Sequence, residues 1–182
     1  MRRDPPRARG GSRNLGQVSS SDAPVVCVST RGGPFVGVAP TVIRRRADKM
    51  LRHLGLRRVE LSVALVTDEQ IRELNKTFRH KNKPTDVLAF PMTALDGTSL
   101  GDVVGASTLL LLGDVVVSID TARRQAARRR RSLLHELTML LAHGVLHLLG
   151  YQHGSDAEER TMTLRTRELE TAAKRRAEHR RT

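Results

Sequence analysis

The stretch that most constrains this chain is RSLLHELTMLLAHGVLHLLGYQHG, residues 131–154. Its leucines, valine and methionine recur at helical spacing up to Gly150, which marks one buried helix ended by a glycine. Into that apolar segment the sequence places His143 and His147, and it adds His153 just beyond the glycine. Burying imidazoles without partners is costly, so three of them here call for a shared ligand. His143 and His147 lie four residues apart and project from one helical face. That spacing suits two ligands of one tetrahedral zinc, each at roughly 2.0–2.1 Å. Gly150 lets the chain fold back so that His153 supplies a third nitrogen. Three imidazoles and an open fourth position describe a catalytic zinc site, with one Zn²⁺ per chain.

The spacing HxxxHxxGxxH equals that of one group of zinc proteases, whose motif begins HExxH. In those enzymes the Glu after the first His is the general base. Here that position is Gly144, which has no side chain to move a proton. The ligands suit a protease and the base does not.

The charge balance points the same way. With 32 Lys and Arg against 19 Asp and Glu, the chain has a formal net charge of +13 and attracts polyanions, RNA foremost. Only 2% of residues are aromatic, so the core must be aliphatic and base-stacking platforms are few. A single cysteine, Cys27 in the β-like run VVCVST, excludes an intrachain disulfide and suits a reducing, cytoplasmic setting. It reads as a small buried hydrophobe. No apolar run reaches the roughly 18–20 residues of a membrane span, and no membrane partner is expected.

Along the chain, residues 1–23 are rich in Arg, Pro, Gly and Ser and read as a disordered basic arm. Strands are expected at VVCVST, VELSVALV, DVLAFP and LLLLGDVVVS, the last interrupted at Gly113 and Asp114. Helices are expected over 41–55, with Val42, Ile43, Met50, Leu51 and Leu54 inward, and over 68–79, with Ile71, Leu74 and Phe78 inward. Thr67 and Gln70 form a capping box for the second of these. Asp120 is the expected cap of a helix over DTARRQAARR, and the histidine helix follows. The final TLRTRELETAAKRRAEHRRT starts helical and frays into a basic tail over 166–182. Strands and helices interleave, which gives an α/β (α+β) domain over 24–165. A small mixed sheet of about four strands packs there with about five helices.

Three segments also match one family. HGVLHLLGYQH closely resembles the HGxLHLxGYDH signature of the YbeY family, bacterial zinc endoribonucleases that mature ribosomal RNA. LNKTFRHKNKPTDVLAFP (74–91) resembles its second block and LGDVVVSIDTARRQA (112–126) its third, in the family's order. The resemblance covers roughly residues 40–160. It implies that His143, His147 and His153 are the zinc ligands and that Arg79 matches the family's catalytic arginine. A guanidinium suits that role, since it stays charged and offers a planar fork to a phosphate. Lys81 and Lys83 in the same loop, and Arg124 and Arg128 beyond, are candidate RNA contacts. Asp114 and Gln152 are candidates for orienting the ligands. Gln152 stands where the family usually has Asp, and it cannot act as a base. The 92–111 segment is longer than usual in the family.

The expectation is therefore a metal-dependent, single-strand-specific endoribonuclease. It would act in ribosomal RNA processing (16S 3′-end maturation) and in late 70S quality control, with the ribosome or its small subunit as partner. Two rivals stand beside it. One is a zinc protease. The other is a ribosome-assembly factor whose zinc is structural, closed by a fourth ligand such as His135 or Glu136. Glu136 has two further readings: it could accept a proton from a ligand histidine, or pair with the Arg128–Arg131 run.

Overall fold

The computed structural model describes residues 23–92, 109–152 and 154–175. Strands β1 (Val25–Thr30), β2 (Val59–Val66), β3 (Val87–Pro91) and β4 (Leu110–Ser118) form one sheet in the order β1-β2-β4-β3. β1, β2 and β4 run parallel, and β3 lies antiparallel at the β4 edge. The helices are α1 (Pro40–His53), α2 (Asp68–Arg79), α3 (Ile119–Arg128), α4 (Leu133–Leu148) and α5 (Asp156–Lys174). The mixed four-stranded sheet with five helices among the described residues is the α/β architecture expected from the sequence.

Side-chain alternation along the strands divides the core in two. Leu61, Val63 and Leu65 of β2 and Val115 and Val117 of β4 face α1, α4 and α5, where they form the large aliphatic cluster. The opposite face carries a small cluster, Val66, Ile71, Leu88 and Val116, under α2. α5 is helical to Lys174, well past the start that the sequence suggested. Its Met162, Leu169 and Ala173 are buried in the large cluster. Those apolar residues sit among so many charges that periodicity alone hides them.

β4 is continuous, and what reads as an interruption is a bulge. Its register on β2 shifts between Glu60 and Leu61, which pair with Leu111 and Gly113 and leave Leu112 as the extra residue. Gly113 has φ +133°, and a Cβ there would lie 2.2 Å from the Phe90 carbonyl oxygen, so only glycine fits.

Three expectations for side chains are corrected. Cys27 is exposed, because it points to the sparsely covered face of the edge strand β1. Phe78 is 61% exposed, and Asn75 takes the buried place in α2. The cap of α3 is Ser118, whose Oγ accepts from Thr121 N, while Asp120 lies in the first turn and accepts from Asp68 N at 3.0 Å. The Thr67–Gln70 capping box forms as expected.

Two ionic clusters join elements. The buried Glu136 carboxylate receives Arg129 Nη1 at 2.6 Å and Arg131 Nε. This tie locks the α3–α4 turn. Stripping a buried charge of its partners typically costs about 3–5 kcal/mol. At the other end, Asp68 accepts from Ser118 Oγ (2.5 Å), Thr121 Oγ1 (2.7 Å) and Arg124 Nη2 (2.6 Å), which ties α2 to α3. Burial pushes the Asp68 carboxyl up, but the three hydrogen bonds and the Arg124 charge outweigh it and hold it below the ordinary carboxylate range. A depressed carboxyl stabilises the fold above its unfolded pKa of about 3.9, and that contribution fades as pH falls through the lower folded value. Asp68→Asn should therefore lower urea-unfolding stability at pH 7. The gap to the parent should shrink steadily below about pH 4, and a gap independent of pH would contradict this account.

Candidate metal centre

The site is built from the last turns of α4 and the turn that ends it. Ser132 caps the helix start, accepting from His135 N at 3.2 Å. At its far end Gly150, at φ +84°, lets the chain reverse. Gly150 N donates to His147 O (3.0 Å) and Tyr151 N donates to Leu146 O (3.1 Å), the double hydrogen bond of a Schellman turn. That reversal brings the Tyr151 carbonyl back over the helix, 3.0 Å from His147 Nδ1.

This contact sets the histidine's chemistry. A carbonyl oxygen only accepts, so His147 carries its proton on Nδ1 and presents the Nε2 lone pair outward. That lone pair faces His143 Nε2 across 3.2 Å, with the two rings nearly perpendicular. Two nitrogens held tetrahedrally by one zinc at 2.0–2.1 Å lie about 3.3 Å apart. The pair thus fits the bite of a metal, with the supporting carbonyl contact that ligand histidines usually have. The same separation also suits an Nε2–H···Nε2 hydrogen bond in metal-free protein. Both side chains are half-buried at the edge of the apolar core, and His153 lies outside the described residues. Among the described residues no group of three or more His, Cys, Asp or Glu gathers.

Gly144 has a packing reason to be glycine. A Cβ there would sit 2.6 Å from Val115 Cγ1 and 3.3 Å from Val87 Cγ2, so α4 lies pressed against β4 and β3 at this point. A glutamate, as in the protease motif, has no room.

The other candidates separate. Val115 faces Gly144, so its neighbour Asp114 points to the opposite face of the sheet, away from the histidine helix. Gln152 is exposed. Glu136 is held by Arg129 and Arg131, which realises the arginine pairing, and His135 Nε2 lies 3.1 Å from Glu170 Oε1. Neither is placed to complete the histidine pair. Arg124 is bound to Asp68, while Arg128 is exposed at the end of α3. Arg79, the last residue of α2, and Lys81 and Lys83 in the loop that feeds β3 at Val87, the residue touching Gly144, are exposed.

The residue that sequence reasoning missed is Asn75. Its Nδ2 donates to the Lys83 carbonyl at 2.8 Å, and its own carbonyl accepts from Lys81 N at 3.2 Å. Left-handed His80 caps α2 between them. The signal was present, a polar residue on the inner stripe of an amphipathic helix.

Comparison with known proteins agrees with this picture. The profile of the family described as Endoribonuclease YbeY matches residues 39–174. Relatives described as endoribonuclease YbeY include one from Aquifex aeolicus, 50% identical over 117 residues, covering 64% of this chain and 71% of the relative. One from Anaeromyxobacter dehalogenans is 46% identical over 130 residues, with 71% of this chain and 62% of the relative covered. One from Halalkalibacterium halodurans is 40% identical over 134 residues, with 72% and 84% covered. The solution structure of TM1509 from Thermotoga maritima shares the fold, with a TM-score of 0.56 at 24% identity over 82% of this chain and 89% of that one. The chain belongs to the YbeY endoribonuclease family.

The close approach at Gly144 is directly testable. Gly144→Ala gains helix propensity yet should cost about 1–3 kcal/mol in urea unfolding, because the β-branched Val115 has little room to yield. Val115→Ala in the same chain should restore part of the loss, and simple additivity of the two changes would refute the contact.

Proposed function

We propose that this protein is a metal-dependent endoribonuclease that cleaves single-stranded segments of ribosomal RNA. The proposal extends to maturation of the 16S 3′ end and quality control of late 70S particles, in the cytoplasm and on the ribosome. The observation that carries the reading is the His143–His147 pair, 3.2 Å apart with its tautomer set by Tyr151. It is supported by the family to which the chain belongs and by the excess of positive charge.

His143 and His147, with His153 completing the set, would hold one Zn²⁺. When bound, such an ion supplies Lewis acidity toward a phosphate and makes nearby water more acidic. The chain's own groups do the rest. The Tyr151 carbonyl keeps the His147 proton on Nδ1, so that Nε2 remains a donor of its lone pair. Arg79 offers a guanidinium to the phosphate oxygens, where charge builds as the bond is cleaved. Lys81, Lys83 and Arg128 attract neighbouring phosphates, which makes binding salt-sensitive. Arg124, tied to Asp68, serves the α2–α3 junction. The basic residues before residue 24 and after Lys174 add charge for the same polyanion.

Gly144 speaks against a protease, since the general base of that motif has neither side chain nor space here. The occupation of Glu136 by two arginines speaks against its closing the sphere as a structural ligand.

His147→Ala and Arg79→Ala, compared with the parent on single-stranded RNA, separate these roles. Loss of the histidine should abolish cleavage and lower zinc content measured by metal analysis. Arg79→Ala should keep the zinc and lose about 10²–10³-fold in rate. Cleavage undiminished in both variants would end the proposal.

A further inference from the structure

Among the described residues, the face of the sheet opposite the histidine helix is covered only in part, by α2. Where it meets none of the described helices it presents Val25, Cys27 and Ser29 of β1, Ser62 and Ala64 of β2 and Asp114 of β4, mostly small or polar. The apolar cluster on this side stops at Val66, Ile71, Leu88 and Val116. The rest of the face is the floor of an open cleft of about 850 Å³, within the range of small-molecule sites. Its wall is Phe78 of α2, which meets Phe90 of β3 edge to face at a centroid distance of 5.0 Å. This pair gathers two of the four aromatic residues in the chain. Phe78 stays 61% exposed despite that contact, unusual for a ring with an apolar cluster beside it.

We infer that this cleft receives an unpaired base of the RNA, stacked on Phe78 over a largely apolar lining that carries a few polar groups such as Ser62 and Asp114, while the adjoining Arg79 loop takes the phosphates. The inference rests on the endoribonuclease reading and adds a subsite to it. Charge decides between ligand classes. Glu73 and Asp114 both line the cleft, so a bare phosphate would be repelled from it. A nucleobase carries no charge. It brings a flat π-face for the ring, and amino and imino donors for carboxylate and serine oxygens. Arg31 lines the cleft together with the two carboxylates, and Arg79 follows Phe78 directly in the chain, so cations stand beside the site for the phosphates of the strand. β3 is the edge strand, with the cleft on one face and the Gly144 contact on the other. One strand of RNA can therefore reach both faces by passing over a single β-strand. A base held in a duplex cannot enter such a cleft, which gives the preference for single strands a structural origin.

The test uses the full chain and a 12-nucleotide single-stranded RNA with one 2-aminopurine, titrated with chelator present at about 0.15 M salt. Cleavage of the same RNA by the zinc-loaded parent is followed in parallel. For the parent, binding should quench the 2-aminopurine when it sits at one position of the RNA. Phe78→Ala should weaken binding roughly 5- to 150-fold and abolish the quench, whereas Phe78→Tyr, which keeps the ring, should retain both. An abasic nucleotide at the quenched position should weaken the parent by a similar factor and leave Phe78→Ala nearly unchanged. If the parent cleaves the RNA but Phe78→Ala binds it with unaltered affinity and quench, the subsite is wrong and the cleft is open to a protein partner instead. If the zinc-loaded parent neither binds nor cleaves the RNA, the endoribonuclease reading itself falls.

Discussion

The contact on which the site depends is the approach of α4 to the sheet at Gly144. With no side chain between them, the helix backbone settles against Val115 and Val87, and the flanking residues inherit their directions from that seating. His143 sits beside the contact and His147 one turn further, at the border between buried leucines and the edge strand. A helix lifted by one methyl group would carry both nitrogens with it. Helix interiors disfavour glycine by about 1 kcal/mol relative to alanine, so its presence here records a packing demand stronger than propensity. The same position in the protease motif holds the base. Here geometry rather than chemistry has claimed it.

The two faces of the sheet serve different ends. One is aliphatic, takes α1, α4 and α5, and supplies most of the burial that holds the domain together. The other gives up much of that burial. Among the described residues α2 covers only part of it, and the open part mixes serine, alanine, cysteine and aspartate with valines. A chain with few aromatics and a modest core would gain stability from a second full layer. Within the described residues α2 is the helix on this face, and the cleft beside it is open.

Much of this was legible beforehand. Strand positions follow from runs of Val and Leu, α2 from its capping box, and the histidine helix from its apolar spacing closed by a glycine. What escaped were features decided by tertiary neighbours. Phe78 keeps the right helical phase for the core, yet it stays largely exposed on the wall of the cleft, where it meets Phe90 edge to face. Ser118 displaces Asp120 as a cap because Asp120 turns instead to the α2 backbone. Cys27 alternates correctly, but among the described residues its side of β1 is exposed. α5 was partly hidden by its charges, though Met162 and Leu169 hold two turns' spacing. The Schellman turn could be guessed from Gly150, but its delivery of the Tyr151 carbonyl to His147 could not.

Asn75 gives the Arg79 loop a property that bears on how RNA would be met. Its buried side-chain amide donates to the Lys83 carbonyl and its backbone carbonyl accepts from Lys81 N, just beyond left-handed His80, so the segment from His80 to Lys83 is already shaped when the protein folds. Flexible basic loops lose conformational freedom when they close on a polyanion, and that loss subtracts from affinity. Here the ordering is settled during folding, by a single internal amide, and is not charged again at each encounter. The exposed cations of this loop thus project from a fixed frame, so that where they stand, as well as how many there are, can select the path of the strand.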